Sequence, residues 1–170
     1  LCESSRQYLR EVYGVESTKI PNFVDEDLIA PSKVIREHIR KVMFTGRVSI
    51  NKGAAEIFEV AKYFPDITFV LAGEVSEEIA PLKHPDNIVL AGVQEHKTVI
   101  SDLDAADLFL FPSHTEGFSL ALAEAMARGL PAVVTDVGAN AEMLEDQGGI
   151  VVAVGDVPAM KDAVLRLDDS

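Results

Sequence analysis

Residues 111–131 read F-P-S-H-T-E-G-F-S-L-A-L-A-E-A-M-A-R-G-L-P, and this stretch decides the fold. The β-formers at 107–111 stop at Pro112 and Ser113, as a buried strand does at its carboxyl end. A short polar loop carrying Glu116 and Gly117 follows. The alanine- and leucine-rich run 119–128 then predicts a helix, with Gly129 just past its last turn and Pro131 soon after. A carboxylate is thereby set in a loop at a helix N-terminus, beside backbone N–H groups that lack an intrahelical acceptor and attract anions. Glu124 is a second carboxylate, on a helix of mostly apolar residues. Burying it is costly unless something polar meets it, and a bound ligand is one such partner.

Working outward, strand and helix signals alternate from residue 42 to the end. Short apolar runs at 42–45, 67–72, 87–91, 107–111, 132–135 and 149–152 predict strands. Helical patterns occupy 53–63, 95–105, 119–128, a turn at 139–144, and 157–167. Strands apolar on both faces belong to a parallel sheet covered on each side by helices. The expected fold is α/β, a doubly wound Rossmann-like parallel sheet. Ligands of such sheets bind at the carboxyl ends of the strands. That gathers Gly46 and Arg47, Gly73, Gly92, residues 113–119 and residues 136–138 along one edge.

The second notable stretch, G-R-V-S-I-N-K-G at residues 46–53, follows the first strand and opens a helix. It is neither G-x-x-x-x-G-K-(S/T) nor G-x-G-x-x-G, so those two phosphate-binding readings fail. Arg47 and Lys52 nevertheless place two cations at the strand-end edge. Arginine can grip a phosphate in bidentate fashion, and lysine supplies a mobile point charge. Spacing alone decides little: Glu116 and Glu124 fit E-x7-E, but so do Glu3 and Glu11. On the residues alone, solvated side chains remain open for all four groups.

Composition bounds the rest. The 170 residues are enough for one ordinary domain with a real core, and 48% of them are apolar. No apolar run approaches the roughly 18 residues of a membrane span, and no secretion signal is legible. The single cysteine, Cys2, excludes an internal disulfide, reads as an ordinary buried thiol and suits a reducing compartment. A net charge of −13 argues against a nucleic-acid surface and a polybasic membrane anchor. No histidine, cysteine and carboxylate spacing suits a metal, and no Ser-His-Asp arrangement is legible. His114 alone falls in the site loop; His38, His84 and His96 read as solvated.

Residues 111–131 resemble the signature of retaining, family-four glycosyltransferases of the GT-B fold. There a strand ends in P-S, E-G-F-(G/S)-L follows, and a second Glu leads into A-M-A-x-G-x-P. Residues 46–53 are similar to the same family's G-R-(L/V)-x-x-x-K-G. The segment D-V-G-A-N-A-E-M-L resembles its G-G-x-x-E, with Ala139 for the second Gly and Glu142 at the acid. In L-A-G-E-V, Val75 replaces the second Gly of a G-x-G turn, and Phe23 takes the Gly position of I-P-N-G-V-D. The resemblance implies the C-terminal, donor-binding half of a larger protein. Residues 1–25 would end the first domain and cross over, 26–41 would form a linker with a helical turn after Pro31, and 42–170 would bind the nucleotide sugar. Ser4 or Ser5 is expected to cap a helix running to about Tyr13.

The resemblance also implies roles. Arg47 and Lys52, in the loop opened by Gly46, would hold the donor diphosphate. Glu116 would meet the sugar and its developing positive charge, so Glu116, Arg47 and Lys52 are the expected catalytic groups. Ser113 and the main chain of Gly117, Phe118, Ser119 and Leu120 would line the sugar and β-phosphate, Glu124 would take the ribose hydroxyls, and the Val93 backbone would read the nucleobase edge, with an ordinary strand end there left open as the alternative. The expected substrate is a nucleoside-diphosphate sugar, with no cofactor and no metal. The acceptor would be bound by an N-terminal domain absent from this chain. The expected location is cytoplasmic, with peripheral membrane association of the full-length protein left open. Two other readings stand beside this one: a GT-B-fold sugar-nucleotide epimerase or phosphorylase-type enzyme, and a non-catalytic nucleotide-sugar-binding module.

Overall fold

The structure, a computed structural model, describes residues 2–20, 22–29, 38–145 and 148–168. Six strands form one all-parallel sheet: β1 (Lys41–Thr45), β2 (Thr68–Ala72), β3 (Ile88–Gly92), β4 (Leu108–Phe111), β5 (Ala132–Thr135) and β6 (Gly149–Val152). The spatial order is β3-β2-β1-β4-β5-β6. The chain builds outward from β1 to one edge, then crosses back to β4 and builds to the other. The reversal falls between β1 and β4, paired through Val42 with Leu108 and Met43 with Phe109. All six predicted strands form, each beginning within a residue of its expected start.

The helices are α1 (Glu3–Tyr13), α2 (Ala54–Ala61), α3 (His96–Ala105), α4 (Leu120–Ala127), α5 (Asn140–Met143) and α6 (Val157–Asp168). Helix α2 packs against α6. Helices α3 and α4 lie side by side, joined by a bidentate bridge from Arg128 to Asp104 at 2.7 and 2.9 Å. β4 and β5 are buried along their whole length, as apolar strands covered on both faces must be. Their core includes stacked Phe44, Phe109 and Phe111, with ring centroids 5.7 to 5.8 Å apart. Among the described residues no helix is long and apolar enough to cross a membrane.

Two local expectations change. Helix α1 begins at Glu3, two residues earlier than a Ser4 cap and three earlier than a Ser5 cap requires: its N-cap is Cys2, which makes no side-chain capping bond. Ser5 lies inside the helix, its Oγ 3.0 Å from the Cys2 Sγ. The missing cap is supplied from across the molecule. Glu142 of α5 accepts the Glu3 amide at 2.6 Å and pairs with Lys19 Nζ at 2.8 Å. The helical turn expected after Pro31 lies outside the described residues; before it, a 3-10 turn at Glu26–Leu28 has Asp25 accepting from the Asp27 amide.

The Lys19 ammonium, and then the Glu3 amide, hold the Glu142 carboxyl below its ordinary range, and Glu142 raises the Lys19 ammonium in turn. A depressed carboxylate stabilises the tether above its unfolded pKa and ceases to do so as pH falls through the lowered value. A raised lysine does so below its unfolded pKa and fails as pH climbs through the raised one. First-turn amides of α1 should therefore be protected from hydrogen exchange at neutral pH. Protection should be lost in strong acid, and lost at neutral pH in Glu142→Ala.

Candidate active site

The site is built at the sheet's switch point, where the loops leaving β1 and β4 diverge and open the crevice in which doubly wound domains take ligands. The β1 loop carries Gly46, Arg47 and a 3-10 turn, Ile50–Lys52, that the sequence patterns do not announce. The β4 loop carries residues 112–119. Gly53 joins the two: it starts α2 at φ +77°, and a Cβ there would lie 2.2 Å from the Pro112 carbonyl oxygen. Only glycine permits that approach. The β4 loop is braced from its other side as well. Thr135 Oγ1 donates to the Ser113 carbonyl at 2.5 Å, and the Ala139 amide donates to the Gly117 carbonyl at 3.0 Å. Gly138, at φ +56°, passes so close that a Cβ would meet the Glu116 and Gly117 carbonyl oxygens at 2.5 and 2.7 Å.

Within this frame Lys52 and Glu116 meet. Lys52 Nζ donates to Glu116 Oε1 at 2.5 Å and lies 5.8 Å from the centre of the Phe111 ring. The Glu116 side chain is only 9% exposed and that of Lys52 27%, so each depends on the other for compensation. Arg47 stands apart: it is 63% exposed, and its nearest carboxylate is Glu74 at 3.8 Å. The structure thus brings one of the two expected cations to the loop acid and leaves the other reaching into solvent beside the same crevice.

Ser119 is the N-cap of α4 and is buried; its Oγ accepts from the Leu122 amide at 3.1 Å. That leaves Leu120 and Ala121 with amides that have no intrahelical acceptor, at the positive end of the helix dipole. Gly117 and Leu120 are exposed at this end and Phe118 is half-buried. Ser113 is fully buried, and its hydroxyl donates to the Thr115 and Asn51 carbonyls at 3.1 and 3.4 Å. A ligand contact from that hydroxyl requires these bonds to open. Val93, 78% exposed, follows Gly92 at the end of edge strand β3.

Glu124 lies on α4 with 22% of its side chain exposed, and its partner is His96 at the start of α3: Nε2 and Oε1 are 3.0 Å apart. His96 is thus not simply solvated, as the sequence suggested; it meets the one acid on α4. His114, too, has a carboxylate partner, Glu56 of α2, at 2.6 Å. Both pairs join residues far apart in sequence and leave no periodic signal. Among the described residues no three His, Cys, Asp or Glu side chains converge so as to hold a metal ion.

A six-stranded parallel sheet with helices on both faces is a Rossmann-like α/β domain, the fold found in one half of GT-B proteins. The chain belongs to the group 1 glycosyl transferases, the family that matches residues 25–169. Over 99 residues it is 38% identical to lipopolysaccharide core biosynthesis mannosyltransferase LpsB of Rhizobium meliloti, covering 56% of this chain and 28% of that protein. Over 188 residues it is 27% identical to UDP-Gal:alpha-D-GlcNAc-diphosphoundecaprenol alpha-1,3-galactosyltransferase of Escherichia coli, covering 95% of this chain and 48% of that one. Sucrose-phosphate synthase from Thermosynechococcus elongatus shares the fold with a TM-score of 0.82 at 22% identity, over 98% of this chain and 47% of that one. The chain spans less than half the length of each of these proteins.

Proposed function

We propose that this chain is the donor-binding half of a retaining hexosyltransferase that uses a nucleoside-diphosphate sugar. The observation that carries the reading is the Lys52–Glu116 pair beside the N-terminus of α4. A cation and helix amides there face the same crevice as a nearly buried carboxylate. The donor's leaving group is a diphosphate whose negative charge grows as the anomeric bond breaks. Lys52, Arg47 and the α4 amides would stabilise that charge electrostatically. Glu116 would accept from sugar hydroxyls and favour the positive charge developing on the ring. Glu124 would accept from the ribose hydroxyls, and Val93 would lie along the base. No divalent metal is required by this arrangement of cations and amides. Retention would follow from attack on the same face as the departing phosphate, with that phosphate as base. The acceptor would come from a domain outside this chain, so the chain alone should bind donor and transfer nothing.

Thermal denaturation of the chain against a panel of sugar nucleotides and plain nucleoside diphosphates tests this. A ligand that binds only the folded state stabilises it by about 2.7 kcal/mol at 100 times its Kd. At least one nucleoside diphosphate should raise Tm progressively with concentration, while inorganic phosphate at equal ionic strength should not. A flat response to the whole panel would overturn the donor-binding role.

A further inference from the structure

His114 and Glu56 form a hydrogen-bonded link between the β4 loop and the start of α2, two residues from Glu116. His114 Nε2 and Glu56 Oε1 are 2.6 Å apart, and since an ionised carboxylate only accepts, the imidazole donates. The His114 amide also donates to the Asn51 carbonyl at 2.9 Å. The Glu56 side chain is 14% exposed, and its Oε2 is buried with no hydrogen-bond partner. A carboxylate held this way relies on its one partner and on the positive end of the α2 dipole, in whose first turn it sits.

The β4 loop is also joined, through Glu116, to Lys52 in the β1 loop that leads into α2. That link cannot persist unchanged when donor arrives, because the phosphates take up Lys52 and the sugar hydroxyls take up Glu116. We infer that His114 and Glu56 are a positioning pair: they hold the β4 loop against α2 when the Lys52–Glu116 contact opens, and so keep Glu116 aimed at the sugar. The catalytic half of this inference rests on the glycosyltransferase reading above; the mechanical half does not.

Two measurements separate them. The first needs no donor: hydrogen exchange of the β4-loop amides in Lys52→Ala, His114→Ala and the double variant. With Lys52 removed the loop should stay protected by His114. Removing both should raise exchange at least about tenfold beyond the product of the single effects. A double variant exchanging no faster than Lys52→Ala would overturn the pair, whatever the enzyme does. The second uses the full-length enzyme. His114→Ala should lower kcat about 10- to 100-fold, the scale of a slightly misplaced reacting group, with the Kd of the nucleoside diphosphate unchanged. His114→Gln, whose amide can still donate to Glu56, should restore most of the rate. If His114→Ala fails to fold, Glu56→Ala stands in for it, with Glu56→Gln as the conservative partner. A kcat within twofold of wild type in the alanine variants, or a loss shared equally by His114→Gln, would overturn the positioning role. A wild-type enzyme that transfers no sugar defeats the functional reading alone and leaves the exchange result to decide the latch.

Discussion

Lys52→Ala in the full-length enzyme is expected to lower kcat/KM by about 30- to 1,000-fold, or 2–4 kcal/mol of transition-state stabilisation, the scale of one preorganised electrostatic donor. Arg47→Ala should cost a similar amount in rate. The structure separates the two in stability. Arg47 is 63% exposed with a carboxylate no nearer than 3.8 Å, so its loss should change folding stability by at most about 0.5 kcal/mol. Lys52 is the partner of a carboxylate only 9% exposed, and removing it leaves that charge uncompensated. A fully buried pair broken in this way loses about 3–5 kcal/mol, and the partial exposure of Lys52 places it below that range. Urea denaturation beside steady-state kinetics reads both quantities. A loss of tenfold or less in kcat/KM in both variants would show that these cations are merely solvated.

Glu116→Gln should act mainly on kcat, and Glu124→Ala mainly on nucleotide affinity. Glu116 lies in the β4 loop, ahead of the Ser119 cap, and Glu124 lies on α4 itself. Their partners lie on different elements: Lys52 in the β1 loop for Glu116, His96 on α3 for Glu124. Two carboxylates so placed suit different parts of one long ligand. Dissociation constants for the plain nucleoside diphosphate decide the matter. Glu116→Gln should leave them nearly unchanged. Glu124→Ala should weaken them, and a 2′,3′-dideoxyribose donor should then lose little more. Equal weakening in the two variants would end the division into sugar and ribose roles.

The sheet was legible because its strands are short apolar runs, four of which (β1 to β4) end at glycine or proline, and such runs have no other stable place in a chain this size. The strand-end loops were legible for the same reason. What could not be read was every contact that depends on where distant elements come to rest. Serine near the start suggested a cap for α1, but Glu142 of α5 supplies the acceptor from 139 residues away. His96 and His114 carry no pattern of their own; each acquires a carboxylate only when two helices, or a loop and a helix, are laid together. Glu56 is a first-turn acid of α2, a position where the dipole alone accounts for it, so nothing in its sequence position points to His114.

The strand order has a kinetic side. Strands β1, β2 and β3 are consecutive in the chain and adjacent in the sheet, so they can pair as the chain is followed. Strand β4 must instead return to β1 across the whole β2–β3 excursion, closing a loop whose entropy has to be met before any contact rewards it. Lys52 and Glu116, 64 positions apart, cannot meet until that return is complete. The crevice therefore cannot form before β4 has paired with β1, and a molecule holding only β1, β2 and β3 has no site.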